Sequence, residues 1–140
     1  SHAFFGCKDI QQLIIIKKLK VDLNYNVKII SGQTIRNKLG VALSSRNECL
    51  KDGELNEASK IYQSLKDTEK MFASGMVDIK CLKKYLAKKL KHIKGSKVEY
   101  ISIAKQSTLE ELTSALQKPA ILSIAIWIGK TRLIDNIIIK

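Results

Sequence analysis

Two kinds of hydrophobic pattern alternate within the first thirty residues, and this alternation restricts the fold more than any other feature of the chain. Ala3-Phe4-Phe5 reads as the end of a buried strand, Gly6-Cys7-Lys8 as a tight turn, and Asp9 as an N-cap with Gln12 three residues on. The helix predicted to follow presents Ile10, Leu13, Ile14, Ile16 and Leu19 on a wide apolar face that runs to about Leu23. Asn24 and Asn26 break that pattern before the β-rich run Val27-Lys28-Ile29-Ile30. Strand, helix, strand is a βαβ unit, which joins parallel strands by a right-handed crossover. Two parallel strands cannot bury both of their faces, because such sheets are covered by helices on both sides and usually contain more strands. Further strands are therefore expected N-terminal to Ser1, and the start Ser1-His2-Ala3, without an initiator Met, reads as the start of a piece of something longer.

From Gly32 to Leu43 no period persists, and Arg36 and Lys38 stand among polar residues and Gly40, the pattern of a functional loop or an interdomain connection. Ser45-Arg46-Asn47-Glu48 fits a capping box opening a short helix, which Lys51-Asp52-Gly53 would end. Leu55, Ala58, Ile61, Tyr62, Leu65 and Phe72 then recur at helical spacing, as do Ile79, Leu82, Leu86, Leu90 and Ile93 after Gly75. These predict a hairpin of two amphipathic helices. Beyond Gly95 the pattern predicts a strand over 98–104, a short capped helix over 107–116, and strands over 121–127 and 131–138. The second half is thus an α+β unit with a small antiparallel sheet.

With 45% hydrophobic residues and one Pro, the chain is not intrinsically disordered. Lys and Arg outnumber Asp and Glu by 25 to 13, a net charge of +12 that allows polyanionic partners: nucleic acid, an anionic membrane or nucleotide phosphates. The longest apolar run, Ala120 to Ile128, is far too short to cross a bilayer. Cys7, Cys49 and Cys81 form no C-x-x-C pair, so neither a disulfide framework nor a zinc site is indicated, and free thiols in the cytoplasm are expected.

Four segments could carry chemistry. The turn Gly6-Cys7-Lys8-Asp9 joins the carboxyl end of a strand to a helix N-terminus, where open α/β sheets place ligands and Lys8 could meet a phosphate; equally, Gly6 could serve only the turn and Asp9 only the cap. Leu43-Ser44-Ser45-Arg46-Asn47 offers two hydroxyls and a guanidinium to phosphate oxygens, or else an ordinary cap with a solvated Arg. Gly129-Lys130-Thr131 is not a P-loop, since that motif requires glycine where Ile124 stands. The lysines of the second hairpin helix (Lys80, Lys83, Lys84, Lys88, Lys89 and Lys91) suggest a basic nucleic-acid-binding module, the alternative reading. They lie mostly opposite Ile79, Leu82, Leu86 and Leu90, few aromatics interleave, and a solvated face accounts for them as well. His2 and His92 lack partners at any recognised spacing for metal or nucleophilic work.

Three segments taken together carry a resemblance. Ala3 to Leu13 (AFFGCKDIQQL) resembles the F-G-x-K-D-x-Q-Q-L segment of the pantothenate synthetases, or pantoate:beta-alanine ligases. Arg36 with Val41 to Asn47 (VALSSRN) is similar to their R-x-x-x-G-L-A-[ML]-S-S-R-N, and Gly129 to Asn136 (GKTRLIDN) to their G-[RK]-T-R-L-I-D-N. Order and spacing agree along essentially the whole chain. The resemblance implies that residues 1–35 are the last βαβ part of a Rossmann-like nucleotide-binding domain and residues 36–140 a small α+β lid domain. It also implies ATP-dependent condensation of pantoate with beta-alanine through a pantoyl adenylate, in the cytoplasm, by a protein that is a homodimer at full length, with no membrane or nucleic-acid partner. Lys8 would stabilise the transferring phosphate, Asp9 and the Gly6 backbone would fix ATP, and Gln12 would hydrogen-bond pantoate. Ile35 and Leu43 would line the adenine pocket, and Ser44, Ser45 and Arg46 would form a KMSKS-like loop holding the β- and γ-phosphates. The family's H-x-G-H segment and its acidic Mg2+-binding positions would lie upstream, so the chain alone is expected not to be catalytically competent. Gln33 replaces the family's usual Pro, Leu39 a frequent acidic residue, and Cys7 a frequent Glu, all away from the charge-bearing positions.

Overall fold

The computed structural model describes residues 1–140. Strand β1 (His2–Gly6) pairs parallel with β2 (Lys28–Gly32), Phe4 standing opposite Ile30, and helix α1 (Ile10–Asp22) crosses between them. A 3-10 turn over Cys7–Asp9 leads into α1, where the Asp9 carboxylate accepts from the Gln12 backbone N–H at 3.3 Å. Helices α2 (Glu54–Ala73) and α3 (Ile79–Lys91) follow, then a three-stranded antiparallel sheet in the order β3 (Ser96–Lys105), β4 (Ala120–Ile128), β5 (Thr131–Ile139). The overall class is the mixed α/β expected.

Strand β4 is buried along almost its whole length because both of its faces are covered. Side chains alternate across a strand, so Leu122, Ile124, Ile126 and Ile128 enter the main core with Leu65 of α2 and Leu82, Leu86 and Leu90 of α3. Ile121 points the other way and packs with Ile10 and Leu13 of α1, joined at the margin by Phe5, Ile14 and Ile138. The βαβ unit therefore buries one side of its helix against the antiparallel sheet, while Ile15, Leu19, Val21 and Phe4 stay exposed.

Two local expectations are corrected. Residues 107–116 form no helix. Leu112 and Leu116 are both buried, and their spacing of four mimics a helical period. Their backbone N–H groups donate instead to the carbonyls of Ile103 and Val77, at 2.9 and 2.8 Å, so the segment directs its hydrogen bonds to β3 and the approach to α3. The expected short helix from Ser45 is a 3-10 turn over Ser45–Cys49, and its cap is Ser44, whose hydroxyl accepts from the Arg46 N–H at 3.3 Å.

The sheet also contains an acid-sensitive contact. Glu99 sits at a bulge in β3, where its carboxylate accepts from Trp127 Nε1 at 2.9 Å and from two nitrogens of Arg132 at 2.9 and 2.8 Å. The Arg132 hydrogen bonds, reinforced by Trp127 against partial desolvation, hold the carboxyl at about 2. A depressed folded-state value stabilises above the unfolded value and is lost as pH falls through the folded one. Urea midpoints of the parent and Glu99→Gln should therefore differ at neutral pH and converge between about pH 4.5 and about pH 2. A gap that stays constant across that window would refute the assignment.

Candidate functional site

The carboxyl end of β1 delivers the first wall. Gly6 is exposed there, and a Cβ on it would meet nothing within 4 Å, so its backbone is open to close approach. Lys8 is partly buried in the turn that follows, while Asp9 and Gln12 are exposed at the start of α1. Burial pushes the Lys8 ammonium below its usual value. The Asp135 and Asp9 carboxylates oppose that shift, and the Arg46 guanidinium adds to it. Arg46, 38 positions from Lys8 in the chain, thus lies near enough for its charge to act on the Lys8 ammonium. Two neighbouring cations, one of them partly desolvated, are what a polyphosphate would relieve.

The second wall is an arm built by residues 33–44. Arg36 and Ala42 form an antiparallel bridge, and Leu43 donates its N–H to the Ile35 carbonyl at 2.8 Å. Gly40, at φ 84°, makes the reversal, and the Asn37 side chain accepts from the N–H groups of Leu39 and Val41 at 2.9 and 3.0 Å. Directly opposed residues share a face, and Ile35 and Leu43 are 69% and 50% exposed. Two apolar side chains held side by side in solvent make a surface suited to a flat apolar ring. From Leu43 the chain passes into the turn carrying Ser44, Ser45 and Arg46, and Asn47 ties that turn back by donating to the Ala42 carbonyl at 3.0 Å.

The structure thus places Gly6, Lys8, Asp9 and Gln12 on the first wall and Ile35, Leu43, Ser44, Ser45 and Arg46 on the second, with Arg46 close enough for its charge to act on Lys8. Arg36 is already engaged: its guanidinium makes a double contact with Asp135 at 2.6 and 2.8 Å and lies 3.6 Å over the Tyr62 ring. The sequence alone assigns no role to Asp135 or Asn136, though a signal is present. Two polar residues within an otherwise isoleucine-rich strand must find partners if buried, and here they are 6% and 7% exposed. A groove of about 700 Å3 runs along α1 beside Ile14, Lys17, Pro119 and Ile138 and includes none of Lys8, Ser44 or Arg46. No three His, Cys, Asp or Glu side chains converge to hold a metal. No helix is long and apolar enough to cross a membrane.

The model of the pantoate-beta-alanine ligase family matches residues 1–138. A pantothenate synthetase of Clostridium botulinum is 40% identical over 140 residues, which cover all of this chain and 50% of that relative. The crystal structure of pantothenate synthetase from Thermus thermophilus superposes with a TM-score of 0.89 at 29% identity, over 99% of this chain and 49% of that one. The ligase of Francisella tularensis, solved with beta-gamma ATP and beta-alanine, does so with a TM-score of 0.64 at 31% identity, over 98% of this chain and 43% of its own. The chain spans about half the length of the curated relatives it matches. On the family match over residues 1–138 and the shared fold, this chain belongs to the pantoate-beta-alanine ligase family.

Proposed function

We propose that these residues form one side of the active site of an AMP-forming ligase that condenses pantoate with beta-alanine, a protein whose remaining length supplies the rest of the site. The observation that carries this reading is that partly buried Lys8, at the carboxyl end of β1, feels the charge of Arg46 from the turn that follows the arm on which Ile35 and Leu43 stand paired and exposed. A phosphate chain between the two cations and a purine on the apolar pair is the arrangement ATP would need. The Francisella tularensis ligase, solved with an ATP form and beta-alanine, lends support.

In this reading a pantoate carboxylate oxygen bonds to the α-phosphorus of ATP, and the bond to pyrophosphate breaks. The beta-alanine nitrogen then bonds to the acyl carbon and AMP leaves. The protein's part is positioning and charge neutralisation. Lys8 meets the charge developing on the transferring phosphate. The Gly6 backbone and Asp9 orient ATP, and Gln12 donates to or accepts from pantoate. Ser44, Ser45 and Arg46 hold the β- and γ-phosphates. Mg2+, which would screen those phosphates, would take its ligands outside these residues. Residues 1–35 would belong to the nucleotide-binding domain and residues 36–140 to a lid, the full-length protein being a cytoplasmic homodimer. The 140-residue chain alone would show no ligase turnover.

Calorimetry on a full-length ligase carrying this segment tests the phosphate assignment. Arg46→Ala should weaken ATP binding by about tenfold or more, the worth of a lost charge-assisted hydrogen bond. AMP affinity should stay unchanged, since AMP lacks the β- and γ-phosphates. Equal losses for both nucleotides would refute the assignment. Binding of oligonucleotides with a steep salt dependence and no preference for ATP would instead favour the nucleic-acid module.

A further inference from the structure

Strand β5 carries two consecutive buried polar residues, and consecutive side chains of a strand project to opposite faces. Asp135 shares its face with Leu133 and Ile137, which enter the main core, and Asn136 shares its face with Ile138, which packs toward α1. Each reaches a different wall of the candidate site. The Asn136 amide donates to the carbonyls of Cys7 and Lys8, at 3.0 and 2.8 Å. The Asp135 carboxylate takes both terminal nitrogens of Arg36, which also donates to the Gly40 carbonyl at 3.1 Å near the tip of the arm. Asp135 Oδ1 further accepts from the Asn136 N–H at 2.8 Å.

We propose that Asp135 and Asn136 are the positioning pair of the adenylation site: back to back on one strand, they set the separation between Lys8 and the arm that carries Ile35 and Leu43. This rests on the functional reading above. Stability alone is a poor reason for the pair, because a buried ion pair can often be replaced by apolar residues without loss. Holding two loops at a defined distance does require directional contacts from one rigid element. Misplacement by about 1 Å can cost about 100-fold in rate.

The test is a double-mutant cycle on ATP–pyrophosphate exchange in a full-length ligase carrying this segment. Asn136→Ala should lower kcat about 10- to 100-fold, the usual loss when a supporting partner of a reacting group is removed, with little change in the KM for ATP. In a Lys8→Ala background the same substitution should cost no more than about twofold, because the residue it acts through is gone. A full-sized loss in that background, with Lys8→Ala itself damaging, would overturn the positioning role and leave the functional reading standing. Lys8→Ala with intact exchange would overturn the functional reading, and this one with it.

Should Asn136→Ala fail to fold, the isosteric Asp135→Asn decides. The charges facing Lys8 are those of Asp135 from β5, Arg46 from the turn beyond the arm and Asp9 from its own turn. Loss of the Asp135 charge should move the alkaline limb of the kcat profile to lower pH, and Asp135→Glu should restore it in part. An unmoved limb would overturn the proposal.

Discussion

Replacing Lys8 by Ala in a full-length ligase carrying this segment is expected to slow ATP–pyrophosphate exchange by about 100- to 1,000-fold, about 3–4 kcal/mol in barrier, the usual cost of deleting a preorganised donor to developing charge. The expectation rests on three observations. Lys8 stands at a strand-to-helix turn whose backbone Asn136 holds through two carbonyls. It is partly buried, so its charge acts where screening by water is reduced. The charge of Arg46 reaches it alongside those of Asp135 and Asp9, so an arriving phosphate meets a second cation beside Lys8. Lys8→Arg should rescue poorly, because a planar fork replaces a compact ammonium in a confined turn. Exchange near the parent rate in the Ala variant would end the proposed role.

Leu86→Ala is expected to remove about 2–5 kcal/mol of stability, the range for truncating a large apolar side chain in a core that only partly collapses. Leu86 is fully buried, with Leu82 and Leu90 on the same face of α3 and with Leu65 of α2 and the even-numbered residues of β4 around it. Since domains are stable by only about 5–15 kcal/mol, the loss would be a large fraction of the total. Phe4→Ala serves as the contrast: Phe4 is 75% exposed, and exposed substitutions usually stay within about 0.5 kcal/mol. Denaturant midpoints at constant m-value measure both. A small effect at Leu86 would mean that α3 does not close the core as described.

Elements with strong local signals are legible from the chain alone. Asp9 and Asp78 both accept from the backbone N–H three residues on, as N-caps do, though the sequence reading identifies only Asp9 as one. The stripe Ile79, Leu82, Leu86 and Leu90 is the buried face of α3, and Lys80, Lys84, Lys88 and Lys91 lie outside that stripe. Lys83 and Lys89, from the same helix, pair with Glu111 and Asp67. The segment 107–116 departs from its expected helix because a buried periodicity of four reports which residues face inward and says nothing of where their backbone hydrogen bonds go.

The candidate site divides along the same line. The turn at Lys8, the cap at Asp9 and the hydroxyl-rich turn at Ser44 are local features whose residue types and spacing are visible in a few consecutive positions, and the three motifs identify the family. That Arg36 is held by Asp135 and stacked on Tyr62, and that Asn136 anchors the Lys8 turn, becomes visible only in the tertiary structure. The Asn136 contacts join residues 128 and 129 positions apart. A hydrogen bond of that span leaves no periodicity behind; it exists because β5 packs between the arm and α1, and the burial of both sides of that sheet is decided by the whole chain at once.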